Sequence, residues 1–231
     1  MFQIKICGVR LKSDIQAVGD AGGDAIGLNF FSRSIRSLDP DASETRGLAR
    51  FSGELGLRRV GVFVNHAAGE MLRIASTIDL DAIQLHGDES LEDVRDLQES
   101  GLALIRAIKL PRTPLSPDAI DRKVNDWISA GFHLLLDADA GSHHGGSGKT
   151  LHWPSIQRWS ALRPNVTWTL AGGLKPENIA EAITITGAKS FDTASGVECP
   201  KGVKNAGRIS RFIDQIKTHP PSRLPPGSTD R

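Results

Sequence analysis

The sequence lacks several features that define specialised classes of protein. No apolar run approaches the ~18 residues that a membrane-spanning helix needs, and the first residues show no basic leader before an apolar segment, so we expect no secretory signal. Only two cysteines, Cys7 and Cys199, occur among 231 residues, which excludes a disulfide-rich scaffold and leaves a single bridge between them open. These absences predict a cytoplasmic protein.

The sequence also lacks an excess of charge of one sign. It has 28 Lys and Arg residues against 27 Asp and Glu residues, for a formal net charge of +1. We therefore expect neither nucleic acid nor membrane as a partner, and a small molecule instead. The content of 39% hydrophobic and 24% charged residues is typical of a chain that folds around a sizeable core.

Eight short β-favouring segments recur along the chain at fairly even intervals. Several of them, such as 61–64 and 134–136, are continuously apolar, which is typical of strands buried on both faces in a parallel sheet. The eight predicted strands are 2–6, 25–30, 59–64, 81–85, 103–108, 133–136, 166–170 and 190–193.

Segments with helical spacing lie between most of these strands. Residues 70–75, 91–97 and 176–183 are predicted helices, the last with Pro176 at its first position. A final helix carries an apolar stripe at Ile209, Phe212, Ile213 and Ile216.

The alternation of strands and helices predicts an α/β fold with parallel strands joined by right-handed crossovers. Eight units of about 29 residues fit a single closed (β/α)8 TIM barrel, which we assign to residues 1–217 as one catalytic domain. The Pro-rich residues 218–231 are predicted to form a disordered tail.

Polar residues at strand ends are the candidates for chemistry, because the carboxyl ends of barrel strands form the site. Cys7 follows the first predicted strand, although most free cysteines are simply small buried hydrophobes. Asp137 follows three apolar strand residues, which favours a raised pKa and a general-acid role. A helix cap or a salt-bridge partner is an equal alternative for Asp137.

Glycine-rich loops follow the last two predicted strands. Gly172 and Gly173 follow the seventh strand, and Ser195 and Gly196 follow the eighth. Backbone N–H groups of such loops can approach an anion closely, and a phosphate bound after strands seven and eight is frequent in this fold. Ordinary turn chemistry is the alternative, but two clusters on adjacent loops favour phosphate.

Two other signals are weak. Residues 148–150 read Gly-Lys-Thr, like the end of a nucleotide-binding P-loop, but that pattern needs glycine at position 143, which is histidine. His143, His144 and His152 form a histidine-rich segment in which no two share the i, i+4 spacing of metal ligands on one helix face. We therefore predict no metal site.

Seven segments, taken together and in order, resemble those of a known family. They read KICG at 5–8, VGVFVN at 60–65, QLHGDE at 84–89, LLD at 135–137, GGSGKT at 145–150, LAGGL at 170–174 and SGVE at 195–198. Each segment is weak alone, but in this order the chain resembles the phosphoribosylanthranilate isomerases, (β/α)8 enzymes of tryptophan biosynthesis.

The resemblance implies an Amadori rearrangement that needs no cofactor. N-(5-phosphoribosyl)anthranilate would become 1-(2-carboxyphenylamino)-1-deoxyribulose 5-phosphate, an intramolecular aldose-ketose isomerisation. By the same resemblance, Asp137 is the acid that protonates the furanose ring oxygen. Cys7 is then the base that removes the proton from sugar C2.

The resemblance also implies the groups that bind the substrate. Arg36 would hold the anthranilate carboxylate, with Arg33 as the second candidate, because this chain reads Ser-Ile-Arg at 34–36 where the family has Ser-Pro-Arg. Gly172, Gly173, Ser195 and Gly196 match the phosphate loops. Asp192 matches an acidic residue that supports the site.

Two other functions are alternatives to the isomerase. A related aminoaldose isomerisation of histidine biosynthesis would be expected to use a pair of aspartates, and Cys7 argues against it. A non-catalytic phospho-ligand binding protein would be expected to lack the acid or the base, and both are present. His86 is expected to make a structural hydrogen bond, and the sequence leaves monomer and homodimer open.

Overall fold

The computed structural model describes residues 1–138 and 150–220. Eight parallel strands pair in chain order and close into a barrel in which β1 pairs with β8. The strands are β1 (Ile4–Cys7), β2 (Ala25–Asn29), β3 (Arg58–Phe63), β4 (Ala82–Leu85), β5 (Ala103–Leu110), β6 (His133–Ala138), β7 (Trp168–Leu170) and β8 (Phe191–Thr193). The predicted TIM barrel is therefore confirmed.

Seven α-helices pack around the barrel in the described part of the chain. They are α1 (Lys12–Ala21), α2 (Ser43–Glu54), α3 (Ala68–Ile78), α4 (Pro117–Ser129), α5 (Trp153–Ala161), α6 (Ile179–Thr186) and α7 (Ala206–Thr218). The predicted apolar stripe of the last helix is buried, with Ile209, Phe212 and Ile213 at 0% exposure. Within the described residues, no helix is long and apolar enough to cross a membrane.

The strands are mostly buried because each of their two faces packs against an apolar layer. On β1, Ile4 and Ile6 join the large cluster between the barrel and its helices. Successive strand residues point to opposite faces, so Lys5 and Cys7 point into the barrel. A smaller cluster fills that interior and includes Phe2, Ala25, Val60, Ala82, Ile105 and Leu135.

The prediction of an α-helix over residues 91–97 was wrong. The segment forms turns that lead into the short 3-10 helix Arg95–Glu99. The apolar residues recur at every third position, which matches the three-residue period of a 3-10 helix. The Ser90 backbone N–H and hydroxyl both donate to Asp93 Oδ2, at 2.8 and 2.7 Å, which stabilises a turn at the start of the segment.

The prediction that Pro176 opens a helix was also wrong, because α6 begins at Ile179. The side chain of Asn178 accepts a hydrogen bond from the Lys175 N–H and donates one to the Gly173 carbonyl, at 2.9 and 3.0 Å. These bonds hold the preceding residues in a turn. Such local side-chain bonding competes with the helix.

The last helix, α7, ends at Thr218. Residues 221–231, which make up most of the predicted disordered tail, lie outside the described residues. The tail and the domain boundary at 217 stay predictions.

Candidate active site

A cavity opens at the carboxyl ends of the strands and brings together nearly all of the sequence-predicted site residues. Its lining includes Cys7, Arg36, Asp137, Gly172, Gly173, Asp192 and Ser195. Gly196 does not line the cavity but follows Ser195 directly, and its carbonyl accepts a hydrogen bond from Arg208 Nε at 3.1 Å. Residues far apart in the chain therefore share one mouth.

Cys7 is the last residue of β1, and its side chain faces the cavity. It pairs in register with Gly27 of β2, and a Cβ at Gly27 would lie 2.7 Å from the Cys7 sulfur. Glycine on the neighbouring strand therefore makes room for the thiol. The pKa of Cys7 lies above its ordinary value, because burial raises it by more than nearby Lys5 lowers it. Cys199 is an exposed free thiol and Cys7 a buried one, so the two form no bridge.

Asp137 lies near the end of β6, and its side chain is 14% exposed. Burial raises its pKa to about 7, with a further contribution from the negative charge of Asp192. The neighbouring loop approaches closely: a Cβ at Gly172 would lie 2.9 Å from Asp137 Oδ1, and Gly172 has a φ of +81°. Glycine alone suits both the conformation and the contact.

His86 lies next to the acid. Its Nε2 lies 3.5 Å from Asp137 Oδ2, at the outer limit of a hydrogen bond, and its Nδ1 lies 3.2 Å from Gln84 Nε2. His86 also lines the cavity, and its structural role stays a prediction.

Lys5 and Asp192 form an ion pair inside the barrel. Their strands are neighbours, Lys5 and Asp192 pair in register, and Nζ lies 2.8 Å from Oδ1. Neither atom has a hydrogen bond of good geometry within the described residues, so the contact is electrostatic. Burial lowers the pKa of Lys5, but Asp192 and Cys7 raise it by more, which keeps the amine protonated.

Arg36 is fixed by a buried carboxylate. It donates from Nε and Nη2 to the two carboxylate oxygens of Glu198, at 2.6 and 2.7 Å. Lys204 Nζ donates to the same carboxylate at 2.8 Å. Although burial opposes ionisation, Arg36 and Lys204 lower the pKa of Glu198 to about 2.

The two hydrogen bonds to Glu198 do not use all of the N–H donors of the Arg36 guanidinium. A guanidinium carries five N–H donors in a rigid fork, so Nη1 and the second proton of Nη2 can serve another acceptor. The bidentate bond to Glu198 also holds Arg36 in a loop where Ile35 replaces the family's proline. Arg33, the second candidate, is exposed and does not line the cavity.

The two glycine-rich loops lie against each other. Thr193 Oγ1 donates to the Leu174 carbonyl at 2.6 Å, and a Cβ at Gly196 would lie 1.8 Å from the same oxygen. Gly172 and Gly173 both adopt positive φ angles, of 81° and 67°. The loops after β7 and β8 therefore form one continuous wall of the mouth.

Sequence reasoning did not assign roles to Lys5 or Glu198. A signal for Lys5 was present, because a lysine between the two isoleucines of an otherwise apolar strand is rarely buried without a partner. The Arg36–Glu198 pair had no such signal, since 162 positions separate the two residues.

No group of three or more potential metal ligands occurs among the residues that the structure describes. His143, His144 and the residues 145–149 lie outside the described residues. His152 Nδ1 lies 2.9 Å from the Ser155 hydroxyl in a local contact at the start of α5.

Comparisons with known proteins agree with the fold and identify the family. The family model described as N-(5'phosphoribosyl)anthranilate (PRA) isomerase matches residues 4–215. The N-(5'-phosphoribosyl)anthranilate isomerase of Rhodospirillum rubrum is 37% identical over 219 residues, which cover 93% of this chain and 97% of that protein.

Solved structures give the same result. Phosphoribosyl anthranilate isomerase from Thermotoga maritima has a TM-score of 0.79 at 32% identity, over 94% of this chain and 100% of that chain. A phosphoribosyl anthranilate isomerase in complex with reduced 1-(o-carboxyphenylamino)-1-deoxyribulose 5-phosphate has a TM-score of 0.76 at 31% identity, with the same coverage. The chain therefore belongs to the phosphoribosylanthranilate isomerase family.

Proposed function

We propose that this protein converts N-(5'-phosphoribosyl)anthranilate to 1-(2-carboxyphenylamino)-1-deoxyribulose 5-phosphate in tryptophan biosynthesis. The observation that carries the proposal is the meeting of Cys7 and Asp137 in one cavity, from strands β1 and β6. An acid and a base on different sides of a substrate are what an aldose-ketose isomerisation needs.

Asp137 is the proposed acid of the first step. Its carboxyl proton moves to the furanose ring oxygen, the bond between that oxygen and C1 breaks, and the nitrogen lone pair forms a Schiff base. A carboxyl group with an ordinary pKa near 3.9 would be ionised at neutral pH. The Asp137 pKa of about 7 keeps a large fraction of the acid protonated there.

Cys7 is the proposed base of the second step. Its thiolate removes the proton from C2, and the electron pair of the C–H bond moves into the C1–C2 bond while nitrogen regains its lone pair. The resulting enolamine tautomerises to the ketone. The oxidation of C2 and the reduction of C1 balance within the sugar.

The remaining predicted residues are proposed to orient the substrate. Arg36 presents its free N–H donors to the anthranilate carboxylate, a charge-assisted contact. The loops at Gly172–Gly173 and Ser195–Gly196 hold the phosphate at the opposite end, where backbone N–H groups can surround an anion. Asp192 supports the site through its charge.

The wider setting is part of the proposal. The phosphoribosyl compound is the proposed partner, without nucleic acid or membrane, and the balanced charge of the chain supports this. The cytoplasm as location and a monomer or homodimer as assembly stay predictions.

A fluorescence assay tests the reaction and its acid together. Purified protein is mixed with freshly generated N-(5'-phosphoribosyl)anthranilate, and the loss of substrate fluorescence is compared with spontaneous hydrolysis. We expect fast loss with the wild type and a decrease in turnover of at least ~10²-fold with Asp137→Asn, at little change in KM.

Two results would contradict the proposal. Absence of turnover by a folded wild type would reject the isomerase function. Near-normal turnover by Asp137→Asn would reject Asp137 as the acid while leaving the reaction intact.

A further inference from the structure

Lys5 is a lysine with no exposed surface in the interior of the barrel. A buried ammonium is costly unless it is paired, and cores rarely contain one. The partner of Lys5 is Asp192, at 2.8 Å between Nζ and Oδ1. Neither packing nor the contacts described above explain why an ion pair, rather than two apolar side chains, occupies this position.

The ion pair has a direction relative to the two proposed catalytic groups. Lys5 lies on β1, two positions before Cys7, and both side chains point into the barrel. Asp192 lies on β8, which is next to β7 and then β6 in the closed order of strands. Lys5 is therefore on the same strand as Cys7, whereas Asp192 is one strand away from Cys7 and one strand nearer than Lys5 to Asp137.

The two charges act on the base and the acid in opposite senses. Burial raises the pKa of Cys7, and Lys5 lowers it by more than Asp192 raises it. Burial also raises the pKa of Asp137, and Asp192 raises it by more than Lys5 lowers it. The pair as a whole therefore favours thiolate at Cys7 and a protonated carboxyl at Asp137.

Other charged groups face the same two side chains. Lys204 and Arg36 lower the pKa of Cys7 from the loops after β8 and β2. Lys109, at the end of β5, lowers the pKa of Asp137, and His86 of the β4 loop lies 3.5 Å from it. These groups do not alter the orientation of the central pair.

The proposed reaction needs a protonation state that the isolated groups disfavour. The ordinary pKa of a thiol is about 8.5 and that of an aspartate about 3.9, so a shared proton resides on sulfur. Ring opening by Asp137 and proton removal from C2 by Cys7 require the proton on oxygen and the negative charge on sulfur.

We propose that the buried Lys5–Asp192 pair is an oriented dipole that favours transfer of a proton from the Cys7 thiol to the Asp137 carboxylate. In this transfer the S–H bond of Cys7 breaks, an O–H bond forms on Asp137, and the net charge of the cavity is unchanged. Lys5 and Asp192 are thus positioning residues that act through the base and the acid. The effect on rate rests on the proposed isomerase function, whereas the effect on protonation does not.

The test removes the pair as a unit. The double variant Lys5→Met/Asp192→Asn leaves neither charge without a partner, so we expect it to fold, as checked by circular dichroism. The pKa of Cys7 is followed through the pH dependence of iodoacetamide alkylation in a Cys199→Ser background. The pKa of Asp137 is followed by carboxyl ¹³C NMR.

We expect the two pKa values to move apart by about one unit each, upward for Cys7 and downward for Asp137. Single substitutions have a different signature. Both pKa values rise in Lys5→Met and both fall in Asp192→Asn. Unchanged values in the folded double variant would overturn the proposal. If the double variant does not fold, an unchanged Asp137 pKa in Asp192→Asn overturns it and a lowered one supports it.

The pH profile of kcat/KM gives a second readout. The active form has a protonated Asp137 and an ionised Cys7. Moving the two pKa values apart by about one unit each makes this form rarer. The bell-shaped profile should therefore widen and its maximum should fall by ~10²-fold. A lower maximum with unmoved limbs would indicate a merely structural role and contradict the proposal.

Failure of the inference and failure of the proposed function are distinguishable. The titrations of Cys7 and Asp137 need no substrate. A wild type without turnover would reject the proposed function while leaving the titration result standing, whereas unmoved pKa values in an active enzyme would reject only the inference.

Discussion

The two ends of the barrel bury polar groups of different kinds. At the amino end, the Ser190 hydroxyl donates to the Phe2 carbonyl at 2.9 Å, and it lies 2.8 Å from the Thr169 hydroxyl. Because the Ser190 hydroxyl proton is donated to the Phe2 carbonyl, the Thr169 hydroxyl donates to the Ser190 oxygen. The Thr169 oxygen in turn accepts a hydrogen bond from His133 Nε2, also at 2.8 Å. Burial lowers the pKa of His133 to about 4, so this chain of groups is neutral and hydrogen-bonded throughout.

At the carboxyl end, a buried ion pair lacks well-aligned hydrogen bonds. Five buried side-chain atoms have no hydrogen-bond partner among the described residues, namely Lys5 Nζ, Asp192 Oδ1, Gln84 Oε1, Arg106 Nε and Trp153 Nε1. Gln84 and Asp192 line the cavity, and Lys5 is the partner of Asp192. Unsatisfied buried polar groups destabilise a fold, so those at the site call for an explanation. The amino end of this barrel therefore serves stability and the carboxyl end serves chemistry, as is general for the fold.

The largest expected effect that tests this division is at the carboxyl end. We expect Cys7→Ser to lower kcat by at least ~10²-fold, because a hydroxyl supplies far less anion than a thiol near neutral pH. The free energy of unfolding should change by less than about 1 kcal/mol for so small a substitution. Steady-state kinetics and urea unfolding check both expectations.

The matched control for Cys7→Ser is Cys199→Ser, since Cys199 is exposed. It should leave both activity and stability as in the wild type. Unimpaired activity of Cys7→Ser would reject Cys7 as the base.

The second-largest expected effect concerns His133 at the amino end, and it changes the pH dependence of the free energy of unfolding. The folded pKa of His133, about 4, lies below the ordinary value of 6.5, so the unfolded chain binds the proton more strongly. The stabilisation from neutral His133 is complete above about pH 6.5 and is lost as the pH falls toward 4, by ~3 kcal/mol at most. Urea unfolding at several pH values measures this slope.

The variant His133→Asn separates this contribution from those of other groups. Its free energy of unfolding should depend less steeply on pH than that of the wild type over the same interval, while kcat/KM at neutral pH stays within about twofold. An equal slope in both proteins, or a large loss of activity, would break the division between the two ends.

The smallest expected effect concerns Arg36, which joins binding and structure. We expect Arg36→Ala to raise KM by ~10-fold with little change in kcat, because a charge-assisted contact with the carboxylate is lost. Steady-state kinetics measures the split. Arg33→Ala is the control and should leave KM unchanged. A raised KM in Arg33→Ala and not in Arg36→Ala would transfer the role to Arg33.

The sequence was sufficient for the fold because each strand is a separate apolar run followed by a loop. All eight strands were predicted, with ends that differ by up to two residues, as at 103–108 against Ala103–Leu110. The errors arose where local side chains compete with the helix. Asn178 delays the start of α6, and the Ser90–Asp93 bonds favour a turn before the 3-10 helix.

The site was predictable only where its chemistry falls at strand ends. Cys7 and Asp137 could be placed at one mouth because the carboxyl ends of all strands meet there. Partners that are distant in sequence could not be found in this way. No local pattern links Arg36 to Glu198 or Lys5 to Asp192, since each pair forms only on closure of the barrel.

Those two ion pairs have a consequence for the order of assembly during synthesis. Both join the first units of the chain to residues at or after β8. While the chain emerges from the ribosome, Lys5 and Arg36 are therefore made long before the carboxylates that neutralise them. The catalytic end is then the last part of the molecule to be completed, and a nascent chain that stops before β8 has Cys7, Asp137 and Lys5 but lacks the Asp192 carboxylate that pairs with Lys5.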